Sequence, residues 1–233
     1  MKNYLFILFF ILFSATGLKS QPKTYWSSGS EMMFSFADVK SGGNSDGSVI
    51  RWSPVFNIQG MLNADFNKNL GIFTGLGIRN VGFIYDDFDQ MESGGSTTSV
   101  KKKFRSYNLA VPLGIKLGNL GKVFIFGGYE IEMPFHYKEK TFVGGDKTNK
   151  ITGWFSNRQQ KIQHGFIIGV QLPYDMSVKF KYYVSEFFNQ DFTDGKGLKP
   201  YSGFEAHVFY FSLSSYLFKN MESYKPEAKP AVY

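Results

Sequence analysis

The chain has 233 residues, 43% of them hydrophobic and 18% aromatic, with 26 Lys and Arg against 19 Asp and Glu and no cysteine. That composition excludes a disulfide framework and thiolate metal or redox chemistry, and nothing after the first twenty residues approaches the roughly 18 consecutive apolar residues of a membrane-crossing helix. What remains able to enter a bilayer is a closed barrel, because lipid offers no partner to an unpaired backbone group.

At the N-terminus, Lys2 precedes an unbroken apolar run from Tyr4 to Phe13, and small or polar residues follow as far as Ser20. This is the layout of a secretory signal peptide, and the run is about half of the roughly 20 residues that an anchor helix needs. Residues 1–20 are therefore expected to be removed on export. Of the formal charge of +7, Lys2 and Lys19 belong to this leader, so the mature chain from Gln21 carries +5.

Beyond the leader, apolar residues recur with period two, the strand signature, in eight segments. The first runs from Gly29 to Ala37 with Met32, Phe34 and Phe36 on one face. The second, Trp52 to Phe66, sets Phe56, Ile58 and Leu62 against Asn57, Gln59 and Asn63, and the third, Leu70 to Ile84, sets Leu70, Ile72, Leu76 and Ile78 against Phe73 and Arg79. In the fourth, Tyr107 to Leu117, Leu109, Val111, Leu113, Ile115 and Leu117 oppose Asn108, Ala110, Pro112, Gly114 and Lys116. Pro112 has no N–H to give a ladder, so a bulge or bend is expected there. The fifth, Val123 to Tyr137, opposes Ile125, Tyr129, Ile131, Met133 and Phe135 to Glu130 and Glu132, and the sixth spans Ile162 to Leu172. The seventh, Met176 to Phe187, opposes Met176, Val178, Phe180, Tyr182 and Val184 to Lys179 and Lys181; the eighth, Phe204 to Phe218, is rich in aromatics, and its facing is left open.

Links after the second, fourth and sixth segments are short, at Asn67 to Asn69, Asn119 to Gly121 and Pro173 to Asp175, whereas those after the odd segments are long. This alternation predicts an all-β fold, an eight-stranded antiparallel up-and-down transmembrane barrel spanning residues 21–219, with tight periplasmic turns and long external loops. The long links, VKSGGNSDGS, DDFDQMESGGSTTSVKKK, VGGDKTNK and NQDFTDGKGLKP, have the composition of solvated loops. Residues 220–233, with two prolines, read as a short flexible periplasmic tail.

The segments GIFTGLGIRNVGFIYD, NLAVPLGIKLGN and FIFGGYEIEMPF resemble the outer-membrane β-barrel domain family, often labelled porin-like, of Bacteroidetes-type bacteria. The resemblance implies an eight-stranded barrel in the outer membrane of a Gram-negative bacterium and implies no activity.

If the charged faces point inward, Glu31, Arg79, Lys116, Glu130, Glu132, Lys179 and Lys181 share the lumen. Eight strands leave an interior about wide enough for side chains, so a mutually neutralising plug is favoured over a proton or ion path. Trp26, Trp52, Tyr85, Trp154 and Tyr216 are assigned to outward positions near strand ends, with Phe104, Tyr107, Phe187 and Tyr201 in the same group. His136, His164 and His207 lack metal-ligand spacing, so neither a metal nor another cofactor is expected. A lipid-A-modifying enzyme would look to His207, Ser212 and Glu205, but His207 and Ser212 differ in strand parity. The function expected is a non-enzymatic structural or accessory barrel acting through its external loops, with a small-solute or ion channel as the alternative. Outer-membrane lipids are the expected partners, with a larger envelope protein complex as a further candidate. Nucleic acid is not expected: Lys101, Lys102 and Lys103 read as a loop contacting anionic headgroups.

Overall fold

The computed structural model describes residues 22–42, 44–91 and 97–220; the leader and the tail from residue 221 lie outside the described residues. The strands are β1 Lys23–Ser41, β2 Asn44–Gly47, β3 Arg51–Ser53, β4 Ile58–Asp65, β5 Leu70–Met91, β6 Thr97–Asn119, β7 Val123–Val143, β8 Asp146–Trp154, β9 Gln163–Gln171, β10 Met176–Tyr183 and β11 Phe204–Asn220. Antiparallel pairing runs β1, β4, β5, β6, β7, β9, β10, β11, and β11 returns to β1. The ring is closed with eight strands around it, and the remaining short strands extend it at one end.

Alternation decides the two faces. Leu109, Val111, Leu113, Ile115 and Leu117 are exposed along β6 while Asn108, Ala110 and Lys116 are buried, and Ile125, Ile131 and Met133 are exposed along β7 while Glu130 and Glu132 are buried. A soluble barrel has the opposite polarity. An apolar belt on this scale is a lipid-facing surface, and the charges lie inside. β11, whose period is hardest to read, turns Ala206, Val208, Tyr210 and Ser212 inward and Phe211 and Leu213 outward.

Three departures from simple periodicity have local causes. The second limb breaks between β3 and β4, where Phe56 takes a φ of 61°. Asn57 spans the break: its Nδ2 donates to the Ser53 carbonyl at 2.9 Å and its Oδ1 accepts from the Asn80 N–H at 2.7 Å. A bulge does form in β7, but beside Pro134 rather than at Pro112, with the register slipping between Tyr107 and Asn108 of β6. Pro112 keeps register and instead interrupts the ladder with β5, where Thr74 Oγ1 donates to its carbonyl at 2.8 Å. A second bulge at Asp86 and Asp87 in β5 shifts the parity by one, which turns Phe88 into the barrel. At Gly82, φ is +155° and a Cβ would lie 2.0 Å from the Phe104 carbonyl oxygen, so the close approach of β5 to β6 there requires glycine.

Among the described residues, much of the long links is strand, with side chains that are largely exposed. Residues 86–91 and 97–103 continue β5 and β6, and VGGDKTNK is mostly hairpin, turning at Gly144 and Gly145 with φ of +59° and +93° between β7 and β8. β5, β6 and β7, of 22, 23 and 21 residues, are about twice the 9–11 residues that cross a bilayer. Their excess stands beyond the apolar belt, at the end opposite the short turns. Replacing Leu113, 65% exposed in the middle of the belt, with arginine is expected to cost about 2–4 kcal/mol, measured by urea unfolding in lipid vesicles; unchanged stability would mean that this face does not meet lipid.

Candidate functional site

Inside the barrel the side chains form three levels, beginning at the end that holds the short turns. Lowest, the Lys116 ammonium sits between the Tyr25 hydroxyl at 3.0 Å, Asn63 Oδ1 at 3.1 Å and the Asp65 carboxylate. Next, Lys179 donates to Glu31 at 2.6 Å, and Arg79 lies 3.7 Å from Glu31 and forks onto Glu130 with Nη2 at 2.8 Å and Nε at 3.3 Å. Lys181 then bridges Glu130 at 2.6 Å and Glu132 at 2.5 Å, and Tyr183 and Asn108 donate to Glu132 at 2.8 and 2.6 Å.

Asp65, at the end of β4, is the residue that sequence reasoning missed. It supplies the fourth anion, so Glu31, Asp65, Glu130 and Glu132 face Arg79, Lys116, Lys179 and Lys181 with no net charge. Its signal was present: Asp65 is in phase with the inward Asn63. An isolated buried charge is costly, and these geometries compensate it by ion pairing and hydrogen bonds together. The cavity beside Glu31, Arg79 and Lys179 measures about 40 Å³, room for about one or two waters.

Above these charges the lumen is filled mainly by aromatic rings. Phe83, Phe88, Phe104, Tyr183, Phe187, Phe188, Tyr201, Phe204 and Tyr210 pack with Met33, Val81 and Val208 as one buried cluster. Phe188 stacks on Tyr201 at 4.4 Å and meets Phe104 edge-on at 4.8 Å. Phe187, Phe188 and Tyr201 come from the segment between β10 and β11, which therefore folds back into the barrel mouth as a cap. Tyr85, assigned to the outer aromatics, is 4% exposed and packs on Phe204 at 5.3 Å; it shares parity with the inward Arg79. Phe104, Phe187 and Tyr201 are likewise internal. Tyr216 belongs to the inner face with Ser214 and lines the small cavity. Trp26, Trp52 and Trp154 are 49%, 60% and 69% exposed, as outward residues are. Trp26 lies over Gly60, where a Cβ would come within 2.2 Å of its ring.

The cap and the strand extensions enclose an open cleft of about 980 Å³, lined among others by Phe88, Lys102, Glu139, Arg158, Asp194 and Phe204. At its floor Glu139 accepts from Lys102 at 2.6 Å, Tyr137 at 2.8 Å and Tyr201 at 2.7 Å, and Arg158 donates to the Tyr201 hydroxyl at 3.1 Å. Burial alone would raise the Glu139 carboxyl, but Lys102 and the two hydroxyls outweigh it and hold the group below the usual carboxylate range. Elsewhere, His207 stacks on Tyr182 on the outer face while Ser212 is buried on the inner face, so the two do not meet. Among the described residues no group of three His, Asp or Glu side chains is placed to hold a metal.

Two outcomes follow from these contacts. Lys181→Met leaves Glu130 and Glu132 crowded without their shared cation and should destabilise the barrel by about 3–5 kcal/mol, read by urea unfolding in vesicles, with Glu132→Gln in the same chain restoring part of the loss. Because the Glu139 carboxyl is lowered in the folded state, its contribution is present at neutral pH and is lost as pH falls through the lowered value. Amide exchange in residues 188–203 should therefore rise on acidification below the usual carboxylate range, and rise less in Glu139→Gln.

No protein-family model matches the chain, and no curated protein matches it. Among solved structures it is similar to Ail, the attachment invasion locus protein of Yersinia pestis, in complex with the heparin analogue sucrose octasulfate, at 12% identity and TM-score 0.36 over 82% of this chain and 97% of that one. Neisserial surface protein A aligns at 10% identity and TM-score 0.34, covering 84% and 99% of the two chains, and the outer membrane protease OmpT from Escherichia coli at 12% and 0.32, covering 84% and 97%. Superposition at these scores is loose, and the barrel stands on this chain's own closed ring of strands.

Proposed function

We propose that the chain is an integral outer-membrane barrel of a Gram-negative envelope, exported by residues 1–20 and spanning the membrane with residues 21–219, with 220–233 as a periplasmic tail. It acts without catalysis, as a structural or accessory protein that recognises its partner at the outer mouth. The observation that carries this reading is the contrast between a lumen filled along its length and a cleft held open above it. A charge-neutral layer closes the lower half and an aromatic layer the upper half, while Glu139 with its three polar partners, Lys102, Tyr137 and Tyr201, fixes the cleft floor. The short turns and both ends of the ring share one side, which in such barrels faces the periplasm, so the cleft faces outward. The resemblance to the Bacteroidetes-type family fits the same reading, with membrane lipids and a larger envelope complex as the partners.

Planar-bilayer recording tests this directly. The parent protein is expected to insert without discrete conductance steps; steady steps that change on substitution of Arg79 or Glu130 would establish the channel alternative instead. Isolation in mild detergent should recover a co-purifying envelope protein from the parent and lose it when Arg158→Ala alters the cleft, with urea unfolding of the barrel unchanged.

A further inference from the structure

The outer surface beyond the apolar belt carries a feature that neither the lumen nor the cleft uses. At the belt's upper edge, Tyr107, Phe135, His136 and Trp154 form a continuous outward aromatic group, with Phe135 stacked on Trp154 at 5.9 Å and Tyr107 5.6 Å from His136. Immediately past it the outward face of three neighbouring strands turns basic, with Lys103 and Arg105 on β6, Lys138 and Lys140 on β7 and Lys150 on β8. Arg105 pairs opposite Lys138, Lys103 opposite Lys140, and Lys140 opposite Lys150. Cross-strand partners share one face, and like charges set opposite one another destabilise a sheet.

Among the described residues no carboxylate neutralises these cations. Lys101, at the patch edge, is paired with Asp86 at 2.9 Å. Among the described residues Lys103, Arg105, Lys138, Lys140 and Lys150 have no carboxylate in ion-pair contact. Lys103 lies over the Phe142 ring at 4.8 Å, and Arg105 donates to the Tyr107 hydroxyl at 3.0 Å. The Lys138 ammonium is held below the usual lysine range, first by its partial burial and then by Lys140, Arg105, Lys150 and Lys147; Lys140 is lowered in the same way, by burial and then by Arg105, Lys147, Lys103 and Lys150. Lysines on an exposed sheet edge also discourage strand addition, which accounts for Lys150 on β8. It does not account for Lys103, Arg105, Lys138 and Lys140, whose strands are paired on both sides.

We propose that this patch binds the phosphate groups of a phosphorylated glycolipid in the leaflet around the barrel's outer half. Outward aromatic rings mark the headgroup level of a bilayer. Arg105 and Lys138 lie two residues beyond Tyr107 and His136, about 7 Å along the strand and less along the membrane normal because the strands tilt. That is the depth at which headgroup phosphates begin. Arg105 offers a planar fork suited to two phosphate oxygens, and the lysines beside it supply point charges that accept several headgroup positions. The uncompensated repulsion within the patch is relieved by an anion from outside the chain.

The proposal rests on the membrane-barrel reading, and the test separates the two. The full mature chain is refolded into phosphatidylcholine nanodiscs doped with bisphosphorylated lipid A or with the same lipid A after dephosphorylation, and lipid retained on the extracted protein is measured by native mass spectrometry. The parent should retain the bisphosphorylated form at least about tenfold over the dephosphorylated one, and Arg105→Gln with Lys138→Gln and Lys140→Gln should reduce that preference to within about twofold. The three substitutions face outward beyond the belt, so protection of the inserted barrel from protease should be unchanged. Equal retention of both lipids by the inserted parent, or a preference that survives in the variant, overturns the proposal and leaves the barrel standing. Displacement of lipid A by millimolar inorganic phosphate would show a free-anion site and also overturn it. A parent chain that does not insert overturns the membrane reading and this proposal with it.

Discussion

Inside a bilayer no water satisfies a backbone N–H or C=O, so a chain without a long apolar helix must pair every crossing strand on both sides. Here that requirement is met by the last pairing of the ring, β11 with β1, from Trp26 opposite Asn220 to Ser41 opposite Phe204. Everything else depends on that closure. Closing with eight strands sets a diameter that admits side chains and little more, and pointing the apolar face at lipid forces the polar face into that narrow space.

The interior is therefore an electrostatic problem as much as a packing one. Four carboxylates and four cations share the lower half, and the geometry leaves each charge with a partner of the opposite sign. Lys181 between Glu130 and Glu132, and Arg79 between Glu31 and Glu130, tie strands that are far apart in sequence: β1, β5, β7 and β10. Such pairs contribute little net stability against an apolar filling, but removal of one partner is costly, so the network fixes which strand faces which. The upper half solves the same problem with aromatic rings instead. The aromatic layer gives the cap a hydrophobic seat, and the buried Lys102–Glu139 pair lies at the floor of the cleft above it.

The segment between β10 and β11 closes the barrel mouth and forms one wall of the cleft. Phe187, Phe188 and Tyr201 anchor the segment between β10 and β11 in the mouth, and Glu139 joins that segment to β6 and β7 through Lys102, Tyr137 and Tyr201. A cleft so tied presents a fixed shape, which lowers the ordering cost of binding. Below it, on the outside, aromatic and basic residues succeed one another within a few residues of the same strands, so the surface changes from lipid-like to headgroup-like over the distance in which the bilayer does.

Period two and the strict alternation of short and long links suffice to determine a closed antiparallel barrel and the facing of its seven clearer strands, because each residue's side is set by local geometry alone. The inward charges Glu31, Arg79, Lys116, Glu130, Glu132, Lys179 and Lys181 were legible for the same reason. What only the tertiary structure decided lies where parity slips or where distant segments meet. The bulge at Asp86 and Asp87 turns Phe88 inward, Asp65 completes the charge balance across the lumen, Tyr85 and Tyr216 prove internal, and Phe187, Phe188 and Tyr201, on either side of the link NQDFTDGKGLKP, pack into the mouth as a cap. None of these is encoded in a window of neighbouring residues, since a bulge needs the opposing strand, an ion pair needs both partners placed, and a loop is held in a mouth only by the aromatic rings that the closed ring brings together.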